Sequence, residues 1–473
     1  MKSHKCRIIE PLSVSIPNGF NPLENDLLPN GLVMDRLKLI LHQLYLLKVM
    51  SLVSDNDIAG GGWVSLHSKI LKLAGTKHYV KYISWLLSNN IIELKKNYNG
   101  TKKYSVKNRS QEFRFSSDVL KSINGTLFHV EKITDFKTVK AGNRLKKYFA
   151  ERPIKNSRNE LTSIHHQLIR MTESVKFRLE LFEEMRYADD FLKSVSADKT
   201  KLLDEFQELL KAINQGNVKF ATVDEFGERL HTPLTNLWSG LRKFMYFNDF
   251  PNDDLVALDF ANSQPYFSSV CGSVKFVKEI LPEFKSCIPV IQKANDSEDF
   301  KAFASLCSEG SIYDFWAAAR GIVREKAKNE LMAQVMFGKP KSTHAIIRNT
   351  RKIFGSHFPS VLKMFDQIKT MNDDTLPFVK ALYLDEQKKF TGRKHFYKNL
   401  ACMMQRAESR LVIGKIAPAL IATGLVPFIT VHDSFIVRNC HEESARKVIQ
   451  AEFEKLNIQP PKVKATELIF NRE

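Results

Sequence analysis

Two aspartates far apart in the chain carry the chemistry. Asp259 lies in Leu258-Asp-Phe-Ala-Asn-Ser-Gln-Pro265, and Asp433 lies in Thr430-Val-His-Asp-Ser-Phe-Ile-Val437. Each ends an apolar, β-prone run: Leu255, Val256, Ala257 and Leu258 before the first, Phe428, Ile429, Thr430 and Val431 before the second. A lone Asp at a strand end is ordinarily a turn or cap residue. Two strands that each bring one carboxylate to the same sheet edge can instead bind two magnesium ions, with manganese as a substitute. Two such ions, about 4 Å apart, neutralise a leaving pyrophosphate and acidify an attacking hydroxyl. That is the minimum apparatus for moving a nucleotidyl group.

Charge points the same way. The chain has 473 residues, 71 Lys plus Arg against 52 Asp plus Glu, and a formal net charge of +19. So large an excess repels itself unless a polyanion relieves it, and nucleic acid is the simplest such partner. An anionic membrane surface is the competitor. With 43% apolar residues the chain is globular and long enough for two to four domains. Cys6, Cys271, Cys287, Cys307, Cys402 and Cys440 are scattered with no C-x-x-C pair, which speaks against a zinc site and a disulfide framework. The opening Met-Lys-Ser-His-Lys has no apolar signal core behind it. The uncharged stretch from Ile416 to Val431 is broken by Pro418, Gly424 and Pro427 and is too short to span a bilayer. The expected setting is cytoplasmic, in a bacterial or virus-infected cell, with no membrane partner. Oligomeric state is not legible.

The elements that must position the acids follow from periodicity. Residues 1–36 are expected to be an extended arm. In 37–118, Leu37, Ile40, Leu41, Leu44 and Leu47 recur at helical spacing. Helical patterns follow at 65–74 and 78–88. Two β-prone runs, 90–94 and 102–106, then flank Asn97-Tyr-Asn-Gly100 as a hairpin. Helix, helix, helix, hairpin resembles a winged helix that binds nucleic acid. Its recognition helix would carry Lys77, His78, Lys81 and Tyr82. Its wing would carry Lys95, Lys96, Lys102, Lys103, Lys107 and Arg109. Residues 119–219 read as a helical connector or thumb-like region, clearest over 177–192 and 198–214. Residues 220–473 hold the motifs.

Those motifs resemble, in order, the single-subunit right-hand polymerases, the superfamily of family A DNA polymerases and phage-type RNA polymerases. Val431-His-Asp-Ser-Phe435 is similar to their motif C, and the segment around Asp259 to their motif A. Between them, Arg324-Glu-Lys-Ala-Lys328 and Phe337-Gly338 resemble motif B, a fingers helix that holds the triphosphate. Arg324 and Lys328, four apart, share a helix face, with Lys326 as the alternative to Lys328. The Lys-to-Phe gap is one residue longer than the family's usual spacing. Upstream, Gly227-Glu-Arg-Leu-His-Thr-Pro-Leu-Thr-Asn-Leu237 with Arg242 resembles the segment along the template-primer duplex, with Glu228 inserted. The resemblance carries over Arg229, Asn236 and Arg242 as backbone contacts, Gln405 as a minor-groove contact on the helix before motif C, and His432 as a contact to the primer's terminal phosphate.

The implied fold is α+β: a palm with an antiparallel sheet bearing Asp259 and Asp433, helical fingers over about 274–372, a thumb, and the N-terminal winged helix. The implied partners are a template, a primer and nucleoside triphosphates. The resemblance places Gln264, five residues after Asp259, beside the sugar's 2′ position, with Phe337 completing that pocket. Both favour DNA synthesis. Ser434 after Asp433 is the phage RNA polymerase choice and keeps an RNA polymerase or primase-like product open. The compact size suits the replicase of a virus, plasmid or other mobile element, and no array of acids before residue 220 suggests proofreading. Tyr187-Ala-Asp189-Asp190 resembles a reverse-transcriptase tetrapeptide, but its flanks read as helix. A rival of another class is a non-catalytic winged-helix replication initiator.

Overall fold

The computed structural model describes residues 12–20, 28–29, 31–53, 63–75, 78–95, 111–121, 126–156, 161–193, 195–200, 202–371 and 396–468. Helices and small antiparallel sheets make an α+β arrangement around two hydrophobic cores.

The first core gathers the amino-terminal half. Its elements are β1 (Leu12–Pro17), α1 (Met34–Ser51), β2 (Val64–Leu66), α2 (Ser68–Gly75), α3 (Tyr79–Ser88), β3 (Ile92–Leu94), β4 (Gln111–Phe115), β5 (Phe128–Ile133) and α4 (Phe136–Asn156). They continue with α5 (Ser163–Glu173), β6 (Val175–Phe177), α6 (Leu179–Met185), α7 (Asp189–Lys193), α8 (Ala197–Thr200) and α9 (Leu203–Asn214). Helix α1 buries Leu37, Leu39, Leu41, Leu44, Tyr45 and Val49 on several sides, so it is a core helix and not a surface one. Strands β2, β3 and β4 form an antiparallel sheet in the order β2-β4-β3.

Six expectations need correction here. Leu12–Pro17, expected in an extended arm, is a strand paired with β5 from Leu12↔Ile133 to Pro17↔Phe128. Leu12, Val14 and Ile16 alternate into the core, a period-two signal that the surrounding prolines and asparagines obscured. The partner of β3 is β4 at 111–115, while the expected strand at 102–106 lies outside the described residues. Tyr82 is buried and its hydroxyl accepts from Val33 N at 3.1 Å, so it is a core residue of α3 rather than part of its outer face. The expected helix over 177–192 begins as β6, paired with β9 (Met245–Phe247), and then breaks into α6 and α7. Asp189 and Asp190 open α7 and are not on a hairpin. The stretch 198–214 is likewise split between α8 and α9. There is also no packing break at 118/119, because α1 and α9 share the core and Lys48 pairs with Glu205 at 3.1 Å.

The second core surrounds a four-stranded antiparallel sheet, ordered β11-β12-β10-β13. Its strands are β10 (Leu255–Phe260), β11 (Ile429–Val431), β12 (Ser434–Arg438) and β13 (Val463–Glu467). A small hairpin, β7 (Thr222–Val223) and β8 (Leu230–His231), precedes it. Val256, Leu258, Phe260, Phe435 and Val437 face the second core; Leu255, Ala257, Ile429, Val431 and Ile436 face the first. Burial on both faces is why 255–258 reads as an unbroken apolar run without alternation.

The second core is completed by helices. They are α10 (Ser263–Val270), α11 (Val274–Ile280), α12 (Ile288–Asn295), α13 (Glu298–Ser308), α14 (Ile312–Arg320), α15 (Arg324–Glu330), α16 (Ala345–His357) and α17 (Pro359–Thr370). After residues 372–395, which lie outside the described set, come α18 (Asn399–Leu411), α19 (Ala417–Ala422) and α20 (Glu442–Lys455). Every regular element in 274–371 is helical, as expected, with turns between the helices and an irregular stretch at 337–344.

Because Ile16 is fully buried on β1, Ile16→Ala should destabilise the protein by about 2–4 kcal/mol. Urea denaturation followed by circular dichroism measures it. A loss near zero would mean that β1 is not part of the folded core.

Candidate active site

The two acids meet through strand pairing. β10 and β12 are antiparallel with Asp259 opposite Ser434, and Phe260 N donates to Asp433 O at 3.3 Å. Asp433 sits in the two-residue turn His432-Asp433 that joins β11 to β12, where Val431 pairs with Ser434. His432 takes φ 54° in that turn. Tight hairpins favour positive φ, but Gly or Asn normally supplies it, so a His here carries backbone strain. Asp259 shares a sheet face with Leu255 and Ala257 at the strand's end, where the apolar cover stops. Burial pushes the Asp433 carboxyl up, and the neighbouring charge of Asp259 adds to that, against hydrogen bonding from Ser263.

Cationic groups surround the pair. Arg242 leaves the 3-10 turn Ser239–Phe244. Its guanidinium is half-buried; burial lowers its pKa, and the charges of Asp259 and Asp433 oppose that shift. Its Nε is buried without a hydrogen-bond partner. Arg229 lies in the β7–β8 loop. Asp224 organises that loop, accepting from Gly227 N at 2.5 Å, Arg229 N at 3.0 Å and His231 Nε2 at 3.1 Å. The inserted Glu228 takes φ 58° and reaches out to Arg410, at 2.8 Å from its Nε, and to Arg406 at 3.4 Å. The insertion is thus a docking point on α18. Gly227 approaches so closely that a Cβ there would sit 2.7 Å from Gln405 Oε1. Gln405 is half-buried against this loop.

His432 stacks edge-on with His231, ring centroids 5.7 Å apart. Burial, then Arg229, His231 and Arg242, lower its pKa to about 4, so the imidazole is neutral near neutral pH. Its Nδ1 is buried without a partner. Asn236 is half-buried beyond β8, and its side-chain oxygen accepts locally from Thr235 Oγ1 at 3.2 Å.

A third carboxylate, Glu408 on α18, went unrecognised in the sequence as a site residue. It pairs with Arg229 Nη2 at 2.6 Å and accepts from Ser263 Oγ at 3.0 Å and from Gln264 Nε2 at 2.6 Å. Burial raises its pKa to about 7, Arg229 opposes the rise and Asp433 adds to it. The available signal was its spacing, three residues after Gln405 on one helix. An apolar helix face with Met403, Met404, Leu411 and Val412 inward masked it; those four are buried.

Arg324 approaches from α15. Its Nη2 donates to Asn262 Oδ1 at 3.3 Å, its Nε pairs with Asp314 at 3.0 Å, and its guanidinium lies 5.5 Å from the Tyr313 ring centroid. Asn262, at φ 53°, links β10 to α10. Burial raises the Tyr313 pKa, Cys307 and Asp433 add to the rise and Arg324 opposes it. Lys328 is exposed one turn on. Between Lys328 and Phe337 the helix widens into a π segment, Leu331–Met336, and Phe337 N donates to Met332 O, five residues back, at 2.8 Å. A π turn absorbs one extra residue, which accounts for the long gap in the sequence. Phe337 is half-buried on the second core.

Two buried basic side chains cap that segment. Arg351 Nη1 donates to Gln334 O at 3.4 Å and Val335 O at 3.3 Å, and Lys369 Nζ donates to Val335 O and to Gly338 O at 3.1 Å. Lys81 is exposed on α3, and Lys77, Lys102 and Lys103 lie outside the described residues.

Among the described residues no group of three or more His, Cys, Asp or Glu side chains is arranged to hold a metal ion. Asp259 and Asp433 nevertheless supply the hard oxygen donors that magnesium takes, one or two carboxylates with water and phosphate completing the shell. Burial first, and then the nearby charge of Asp259, disfavour the ionised Asp433, and a bound cation would oppose both. The residues present therefore fit magnesium. No described helix is long and apolar enough to cross a membrane.

No family model matches the chain, and no curated protein matches its sequence. Among solved structures, the POL domain of Pol1 from M. smegmatis, in complex with DNA primer-template and dNTP, aligns over 70% of this chain and 73% of that chain. The identity is 12% and the TM-score 0.31. Similarity at that level leaves the family open, and the functional reading rests on the residues of this chain.

Burial, then the charge of Arg351, lowers the pKa of Lys369 to about 7, below the ordinary lysine value. Above about 7 the unfolded chain therefore holds the extra proton, and unfolding free energy rises with pH until the ordinary lysine value is reached. The stability of wild type relative to Lys369→Met should accordingly increase between about pH 7 and about pH 9. Thermal melts of both proteins across that range check the slope; parallel curves would contradict a buried, depressed lysine.

Proposed function

We propose that the chain is a template-directed nucleic-acid polymerase that transfers nucleotidyl groups, with DNA the favoured product. The observation that carries this reading is the pairing of β10 with the β11–β12 hairpin, which sets Asp259 and Asp433 side by side within the field of Arg242. Bound magnesium would neutralise the pyrophosphate and acidify the primer's 3′ hydroxyl. Asp259 and Asp433 are the residues that hold it. Arg324 and Lys328, on one face of α15, bind the triphosphate from the opposite side. Arg229 and Arg242 meet phosphates of the template-primer duplex, and Asn236 and Gln405 line its path. His432, neutral in its pocket, donates a hydrogen bond to the terminal phosphate without adding charge. Gln264 and Phe337 shape the sugar pocket.

The amino-terminal part serves recruitment. Support for a winged helix comes from the order α1-β2-α2-α3-β3-β4 and the sheet order β2-β4-β3, with Lys81 on the outer side of α3. Lys77, Lys102 and Lys103, outside the described residues, are proposed from the sequence as further nucleic-acid contacts. The helical stretch from Val274 to Met371 corresponds to the proposed fingers, and the sheet with α18 and α20 to the palm. One observation favours an RNA product: Ser434, buried opposite Asp259, stands where DNA polymerases of the resembled family usually carry an acid.

Primer extension on a DNA template with magnesium, with dNTPs and NTPs in separate reactions, tests the reading. Wild type should extend, faster with dNTPs. Asp259→Ala and Asp433→Ala should each lose about a thousandfold in rate, several kcal/mol of transition-state stabilisation, while DNA binding survives. The double change Asp189→Ala, Asp190→Ala should leave extension intact. Extension that persists in both metal-site variants, or no extension on DNA or RNA templates with or without primer, returns the chain to the non-catalytic DNA-binding class. Faster ribonucleotide incorporation makes it an RNA polymerase.

A further inference from the structure

Gln264 lies five residues after Asp259, on the first turn of α10, which Asn262 joins to β10 in a left-handed conformation. Its side chain is not free to choose a rotamer. Nε2 donates to Glu408 Oε2 at 2.6 Å, and the same carboxylate oxygen receives Ser263 Oγ at 3.0 Å. The other oxygen of Glu408 is taken by Arg229 at 2.6 Å. Glu408 is 1% exposed, so water does not compete for these contacts. One carboxylate thus ties three groups together: the Arg229 guanidinium, the Ser263 hydroxyl and the amide of Gln264. With its N–H end held, Gln264 presents its carbonyl end, and Oε1 is buried without a hydrogen-bond partner.

We propose that Glu408 is a positioning residue for sugar selection: it fixes the Gln264 amide across the place of the nucleotide's 2′ carbon, so that ribonucleotides are excluded only while this contact stands. The inference rests on the polymerase reading above. A glutamine is flexible and a poor wall by itself, since three side-chain torsions let it swing aside. Hydrogen bonding to a buried, fixed carboxylate removes that freedom. The exclusion is then a property of the Glu408–Gln264 pair, not of Gln264 alone, and this makes it separable from a general packing role.

The test is the ratio of kcat/KM for dNTP over NTP in wild type, Gln264→Ala, Glu408→Leu, Glu408→Asp, Glu408→Gln and the double variant Gln264→Ala, Glu408→Leu. Gln264→Ala should lower the ratio about tenfold or more, and Glu408→Leu should lower it comparably. The double variant should fall no further than Gln264→Ala, because the two residues act as one unit. Glu408→Asp keeps the charge but withdraws the carboxylate by one methylene, so it should also lose discrimination. It serves in place of Glu408→Leu if that protein does not fold. Glu408→Gln keeps one acceptor oxygen for Gln264 and Ser263 but sets its amide N–H2 against Arg229, so its ratio should fall between those of wild type and Glu408→Leu. An unchanged ratio in Glu408→Leu or, where that protein does not fold, in Glu408→Asp overturns this inference alone, as does a double variant whose losses simply add or a ratio that rises in Gln264→Ala. A wild type that extends no primer overturns the polymerase reading and this inference together.

Discussion

The register of β10 against β12 is the constraint on which the site depends. With Asp259 opposite Ser434, both acids fall at one end of the sheet and Asp259 points to the face where apolar cover ends. A slip of one residue would turn Asp259 into the helical core and bring Phe260 out. That core would then hold an unpaired carboxylate, while Leu255 and Val256 would lose their places. The burial of both sheet faces is what forbids the slip. The same residues that make β10 unreadable as an alternating strand are those that fix where its acid points.

Around this sheet, α18 acts as the second reference frame. Its Arg406 donates to Phe226 O at 3.1 Å and Glu225 O at 2.9 Å, and Arg410 joins Glu228 to Glu283. Cys402, buried in the same helix, points its sulfur at Phe226 O, 2.9 Å away. The β7–β8 loop is therefore held by side chains, not by a long ladder of its own, since its two strands are only two residues each. Arg229 is delivered to Glu408 by that clamp. Paired charges buried together in this way favour one arrangement over its alternatives more than they add stability.

The strands that lead into Asp259 and Asp433 were legible in the sequence because each acid follows a β-prone run, and that signal survives without any knowledge of the fold. The helix that carries Arg324 and Lys328 on one face was legible for the same reason: helical spacing is local. The missed features are non-local. Glu408 reads as one polar residue on a helix of Met and Leu, and only the packing of α10 and of the β7–β8 loop against α18 gives it Ser263, Gln264 and Arg229 as partners. Lys369 reads as a basic residue near a helix end, yet it is 1% exposed and caps carbonyls more than thirty positions earlier. The β1–β5 pair joins segments over a hundred residues apart, and no local period could have matched them. The spacing anomaly before Phe337 was visible, but its physical resolution was not, because a π turn leaves no mark on composition.

Backbone strain gathers where the proposed chemistry is. Among the described residues, non-glycine positions with positive φ are Asn90, Glu228, Asn262, His432 and Asn457. Glu228 shapes the loop that carries Arg229; Asn262 lies between Asp259 and Gln264; His432 directly precedes Asp433. Such conformations cost on the order of 1–3 kcal/mol each and persist only where surrounding contacts over-determine them. Each has such contacts: Glu228 its arginines, Asn262 the hydrogen bond from Arg324, His432 the ladder on both sides of its turn. A substitution that removes one of those contacts should thus be felt first as a displaced functional side chain and only second as lost stability. The sheet and α18 spend their rigidity on three short, strained corners, and the groups proposed to bind metal, sugar and phosphate are the ones those corners aim.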